Sequence, residues 1–148
     1  MQINYLLSGR ILFGLAMLGF GIVCLIYIDF VNALQPVPAS LPGYKALAAL
    51  TGVVLLAAGV AIITNIKTRV AGLTVAALFA VWIVLLHIPS PFMNPGLLRS
   101  PFWIRTFETL ALASAALILA ALASNPVQEQ WVRIGRIAFG ISPPVVGV

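Results

Sequence analysis

Apolar residues in this chain come in long unbroken runs, not in the narrow stripes of a water-soluble helix or the alternation of a strand. The runs cover residues 11–28, 46–66, 70–88 and 102–124, and brief polar or proline-containing breaks separate them. About 20 predominantly apolar residues carry an α-helix across the hydrocarbon layer, and each run is close to that length. The pattern predicts an all-α fold: a polytopic membrane four-helix bundle over residues 1–124, followed by a tail at 125–148.

Composition excludes the soluble alternative. Hydrophobic residues make up 62% of the 148 and charged residues 7%, whereas a soluble domain carries about 25% charged residues. The formal net charge of +5 is scattered at the ends of the runs. It reads as topology information and not as a nucleic-acid patch. The single cysteine, Cys24, lies inside the first run, so no intrachain disulfide forms and no metal cluster is indicated. Val31-Asn32-Ala33 is a tolerable cleavage pattern, but the apolar core before it exceeds the roughly 7–15 residues of a signal peptide. The first run is therefore expected to be a retained span.

Charge also orients the spans. If they alternate, Arg10, Lys67, Arg69, Arg133 and Arg136 share one face, while Lys45, Arg99 and Arg105 share the other with Asp29 and Glu108. The positive-inside rule then places both termini in the cytoplasm. The inner connection at residues 64–69 is tight. The outer ones, 35–43 and 89–96, are long and proline-rich, and both are expected to be non-helical. Tyr27, Tyr44, Phe92, Phe102 and Trp103 gather near those loops like an interfacial aromatic belt. A structured outer cap is the expected location of any site.

Helices in lipid associate where small residues let backbones approach. Candidate stripes are Gly9/Gly14/Gly19 with Gly21, Ala48/Gly52 and Ala57/Ala61, Gly72/Ala76/Ala80, and Ala116/Ala120/Ser124. A homo-oligomer is an open alternative. In the tail, Gly135-Arg136-Ile137-Ala138-Phe139-Gly140 echoes Gly9-Arg10-Ile11-Leu12-Phe13-Gly14, and six of fourteen positions match between 135–148 and 9–22, Gly147 included. Pro143-Pro144 interrupts it. The echo is either the truncated start of a second repeat or a coincidence in low-complexity sequence.

An ionisable side chain costs about 2.5–3.5 kcal/mol at the centre of a membrane helix on insertion scales, so each one needs a reason. Glu108 is the deepest candidate, with Arg105 three residues earlier on the same helical face. His87 ends the third span, and Asp29 ends the first, where it is expected in water. Converging under the cap, Arg105 or His87 would donate to a quinone carbonyl, and Glu108 or Asp29 would offer a proton route. The alternative is a structural Arg105–Glu108 pair and an interfacial His87 ring. There is no His/Cys metal spacing, no phosphate loop and no nucleophile elbow. A single His leaves no bis-His haem site, so redox chemistry would need a diffusible or partner-held cofactor.

Several segments in order resemble the DoxX family. They are residues 9–15, Phe20-Gly21-Ile22, Tyr27-x-Asp29-Phe30, residues 35–43, Leu50-Thr51-Gly52, Ala57-Ala58-Gly59, Trp82, Leu85-Leu86, Pro89, Trp103 and Glu108-Thr109. The resemblance implies a four-helix protein of the bacterial inner membrane, with Asp29, Trp103 and Glu108 as outer-face motif positions. Relatives of this kind include subunits of a thiosulfate:quinone oxidoreductase and of oxidative-stress complexes. Members with two tandem copies carry a His in the second copy that this chain does not contain. Two expectations follow. One is a membrane subunit of a quinone-linked oxidoreductase complex, with His87, Trp103, Arg105, Glu108 and Asp29 around a quinone and a soluble or membrane partner subunit holding the substrate site. The other is a non-enzymatic scaffold that docks a partner through its outer loops.

Overall fold

With no water in the hydrocarbon layer, a chain must satisfy its own backbone N–H and C=O groups, and each apolar run does so as one helix. The computed structural model describes residues 2–32, 34–93 and 102–141. It contains α1 (Gln2–Tyr27), α2 (Tyr44–Thr64), α3 (Thr68–Trp82) continued by a π-helical turn (Ile83–His87), α4 (Ser90–Met93), α5 (Phe102–Leu122) and α6 (Glu129–Ile141), with no strand among the described residues. Four stretches are long and apolar enough to cross a membrane: Tyr5–Tyr27, Tyr44–Thr64, Thr68–Phe92 and Trp103–Leu122. Large apolar side chains such as Leu12, Ile26, Leu50, Val84 and Leu85 point outward from them. Such a surface is stable in lipid and not in water. The protein is an integral membrane protein built as a helical bundle.

Both α1 and α2 end on a left-handed residue. Ile28 (φ 47°) follows α1, and Asn65 (φ 61°) follows α2. The next amides close the helices onto carbonyls five residues back, Asp29 N to Cys24 O at 3.3 Å and Ile66 N to Ala61 O at 3.0 Å. Asn tolerates this backbone; a β-branched Ile there is strained by about 1–3 kcal/mol. Lys67 (φ 52°) is left-handed again and opens α3, so residues 65–67 reverse the chain. Thr68 Oγ1 donates to Asn65 Oδ1 (3.0 Å) across that turn.

Helix contact is set by glycines spaced seven apart on each of two antiparallel helices. Gly14 meets Gly59 and Gly21 meets Gly52. A Cβ on Gly21 would lie 2.7 Å from Leu56 N and 2.8 Å from Gly52 O; on Gly59, 2.8 Å from Gly14 O and 2.9 Å from Leu18 N. Gly9 and Gly19 have nothing within 4 Å. The expected five-residue stripe thus yields to a seven-residue one, which returns to nearly the same face after two turns of 3.6 residues. On the other helices a Cβ on Gly72 would lie 2.9 Å from the Ala116 carbonyl oxygen and 3.0 Å from Ala120 Cβ, while Ala57 and Ala80 are exposed. Met17, Leu55, Ile62, Val75, Phe79 and Ala116 form the core where α1, α2, α3 and α5 meet.

One segment differs from the sequence reading. Residues 89–96 were expected to be non-helical, yet Ser90–Met93 makes one turn. Pro91 sits at its second position, where a missing N–H is tolerated, and Ser90 Oγ donates to the Leu86 carbonyl to join the turn to the π segment. The tail helix α6 lies along α5: Gln128 N bonds Ala121 O (3.3 Å), and further on a Cβ at Gly135 would meet Ile118 Cγ1 (2.6 Å) and Ser114 O (3.2 Å). Arg99, Ala33, positions 94–96, and the tail positions 142–148 with Pro143, Pro144 and Gly147 lie outside the described residues, as does the Phe102 side chain.

The glycine contacts make a paired prediction. Gly21→Ala forces α1 and α2 apart and is expected to cost about 1–3 kcal/mol. Gly19→Ala, facing open space, leaves stability unchanged or raises it by up to ~1 kcal/mol. Unfolding by SDS titration, followed by circular dichroism, measures both; equal effects would remove the glycine contact as the organising feature.

Candidate functional site at the cap end

One end of the bundle, here the cap end, collects the end of α1, the start of α2, the π turn and the start of α5. The segment joining α1 to α2 does not lie over this end but enters it. Phe30, Leu34, Gln35 and Val37 are all buried. Proline makes this possible by removing N–H donors that an irregular buried segment would otherwise have to satisfy. The remaining polar groups are partly met locally. Leu34 N and Gln35 N both bond Val31 O (2.8 and 2.9 Å). Thr109 Oγ1 of α5 shares its proton between Arg105 O (2.9 Å) and Leu34 O (3.4 Å).

An aromatic stack fixes the opposite wall. Phe30 lies edge-on to Tyr44 (centroids 5.2 Å) and to Trp82 (5.6 Å). Tyr44 Oη donates to Asp29 Oδ1, which also accepts from Phe30 N at 2.7 Å. Asp29 is therefore half-buried and tied between α1 and α2, not solvated as the sequence suggested. His87, the last residue of the π turn, is wholly buried, and its Nδ1 donates to the Trp82 carbonyl at 3.3 Å. The π turn accounts for this: one extra residue per turn rotates His87 inward where a regular helix would carry it further round.

Two buried polar atoms here have no hydrogen-bond partner among the described residues, Trp82 Nε1 and Gln35 Oε1. Gln35 is 1% exposed. A buried unpaired polar group costs about 1–3 kcal/mol, so these are the chemically informative atoms of this end. Neither was among the candidate site residues read from sequence. The inward position of Gln35 depends on the path of an irregular segment, which no periodicity reports.

The candidates do not form one constellation. Asp29, His87 and half-buried Trp103 belong to the cap end, but Arg105 and Glu108 are exposed on α5. The inward stripe of α5 is Thr106, Thr109, Ala113, Ala116 and Ala120, at helical spacing, and it leaves Arg105 and Glu108 together on the adjacent outward face. Cavities of about 970 and 600 Å³ lie toward the other end, the base end, beside α6 and beside the start of α1. No group of three or more potential metal ligands occurs among the described residues.

These features define an all-helical integral membrane protein with a polar, aromatic-walled cap end. The chain matches no known family profile, no curated protein and no solved structure.

The Asp29–Tyr44 tie is the most accessible element to test. Tyr44→Phe keeps the stack on Phe30 and removes one bond to a carboxylate, with an expected loss of about 1–2 kcal/mol after allowance for partial exposure. The segment at 28–43 should then be cleaved faster in limited proteolysis, while Tyr27→Phe, at an exposed ring, leaves both readouts unchanged.

Proposed function

We propose that this chain is the membrane subunit of a quinone-linked oxidoreductase complex of the bacterial inner membrane, with both termini cytoplasmic and the cap end outside. The resemblance to the DoxX family supports the class. Orientation is supported by charge, since Arg10, Lys67, Arg69, Arg133 and Arg136 lie toward the base end and Lys45 and Arg105 toward the cap.

The observation that carries the quinone assignment is the occurrence of Trp82 Nε1 and Gln35 Oε1, a donor and an acceptor, both buried without partners among the described residues. A quinone carbonyl accepts from an indole N–H, and a quinol hydroxyl donates to an amide oxygen, so both redox forms find a partner. When bound, the quinone supplies two-electron, two-proton redox chemistry fed by a partner subunit. The chain's own residues orient and gate. His87 pins the π turn through the Trp82 carbonyl, and Phe30 holds the indole edge-on. Glu108, exposed on α5, offers a route for proton exchange, and Arg105, which stays charged, is relieved of the ligand role. Trp103 and Asp29 frame the same end.

The scaffold reading has its own observation. Phe92 is 82% and Tyr27 72% exposed at the cap end, with Leu41 beside the prolines of the crossing segment. These rings fit either headgroups or a docked partner.

Trp82→Phe separates the two because it removes one N–H and preserves the stack. Mass spectrometry of organic extracts from protein purified in mild detergent should find quinone near one per chain in the wild type. Retention should fall roughly tenfold in the variant, for a hydrogen bond worth about 1 kcal/mol or slightly more. Quinone absent from both transfers the assignment to the scaffold; equal retention removes Trp82 from the site.

A further inference from the structure

At the base end a cavity of about 600 Å³ opens between the start of α1, the 65–67 turn and the end of α5. Its walls combine two chemistries. Leu7, Leu119 and Leu122 give an apolar floor, and Arg10, Lys67 and Arg69 converge on it from α1, the turn and α3. No carboxylate lines it. Two of the chain's three acidic residues, Asp29 and Glu108, belong to the cap end, and Glu129 lines a different groove with Arg133 and Arg136.

Arg10 is the telling member. It lies five residues inside the Tyr5–Tyr27 span, roughly 7.5 Å along the helix at 1.5 Å per residue. Its Nε is buried with no hydrogen-bond partner among the described residues. A guanidinium at that depth needs an anion or a route to water. The start of α3 adds to the field. Its first amides have no carbonyl ahead of them in the helix, and a helix start carries partial positive charge. Thr68, buried, holds the turn beside it through Asn65.

We propose that this groove is a binding site for the phosphate of an anionic phospholipid of the adjacent leaflet, with the acyl chain along Leu7, Leu119 and Leu122. A phosphodiester accepts from Arg10, Lys67 and Arg69 together, and a lipid alone among phosphate carriers also covers the apolar floor. Basic pockets between membrane helices on the positively charged side recognise headgroups in this way. The site is independent of the quinone assignment and stands or falls separately.

Protein in neutral detergent is titrated with phosphatidylglycerol, with phosphatidylcholine of the same acyl chains, and with inorganic phosphate, reading the melting temperature. Phosphatidylglycerol is expected to raise it saturably, and the other two not. Lys67→Gln/Arg69→Gln, at two exposed positions, should weaken the apparent affinity roughly 25-fold, about fivefold per cation. Arg133→Gln/Arg136→Gln removes the same charge from the same end and should leave affinity within twofold of wild type. Native mass spectrometry, counting bound lipid, gives the same comparison for any variant whose melting is altered. An equal response to phosphatidylcholine, an equal response to inorganic phosphate, or equal losses in the two double variants would overturn the site: the first as non-specific lipid, the second as a free-anion site, the third as bulk charge.

Discussion

In a bilayer the lipid tails are as apolar as the helices, so burial of leucine does not bring two spans together; contact has to be earned by close packing. In this protein that constraint is met where Gly14 faces Gly59 and Gly21 faces Gly52, with a Cβ at Gly59 or Gly21 falling within 3 Å of the opposite backbone. The repeated seven-residue spacing brings α1 and α2 close along two levels and fixes their relative height. Beyond these contacts the chain leaves α1 through the strained, left-handed Ile28.

The two ends of the bundle handle polarity in opposite ways. At the cap end, polar groups are drawn inside, some met by hydrogen bonds within the chain, as with Thr109 between Arg105 O and Leu34 O and Tyr44 on Asp29, and two, Trp82 Nε1 and Gln35 Oε1, left without partners among the described residues. At the base end the groove beside α1 gathers Arg10, Lys67 and Arg69 with no carboxylate among its lining residues. Internal hydrogen bonding suits a site for a neutral, carbonyl-bearing ligand, because no net charge has to be desolvated with it. Unmatched cations suit an anion that the membrane itself provides.

The number and type of the membrane-spanning helices were legible in the sequence because a run of about 20 apolar residues has few structural solutions in lipid. Packing faces were legible only in part. Gly, Ala and Ser fill every run, and composition does not say which member of a stripe points inward; Gly14 and Gly21 do so, Gly9 and Gly19 do not. On α5 the decisive clue was present. Thr106 and Thr109 continue the spacing of Ala113, Ala116 and Ala120, so Arg105 and Glu108 had to turn outward. Gln35 and the inward turn of His87 were beyond reach, since one depends on a loop path and the other on a π turn that no residue pattern announces. The acidic and basic residues drew attention by their cost in lipid, and the neutral buried atoms of Trp82 and Gln35, without partners among the described residues, drew none.

The tail shows how far shared letters carry a shared structure. Gly135–Gly140 repeats Gly9–Gly14 in five of six residues, and both stretches are helical. In α1 the second glycine of the pair makes the close contact and the first faces open space; in α6 the first meets Ile118 and Ser114 O, and the second has nothing within 4 Å. Five residues correspond to about 140° around a helix of 3.6 residues per turn, so the two segments present different faces to their neighbours. The shared letters thus make different contacts in the two helices. The position of α6 follows instead from its own stripe, Val132 and Gly135 against α5, and it leaves Arg133 and Arg136 on the groove side with Glu129. An amphipathic helix of this kind gains more by lying along α5, with its arginines reaching toward the base end, than by leaving its apolar face in water.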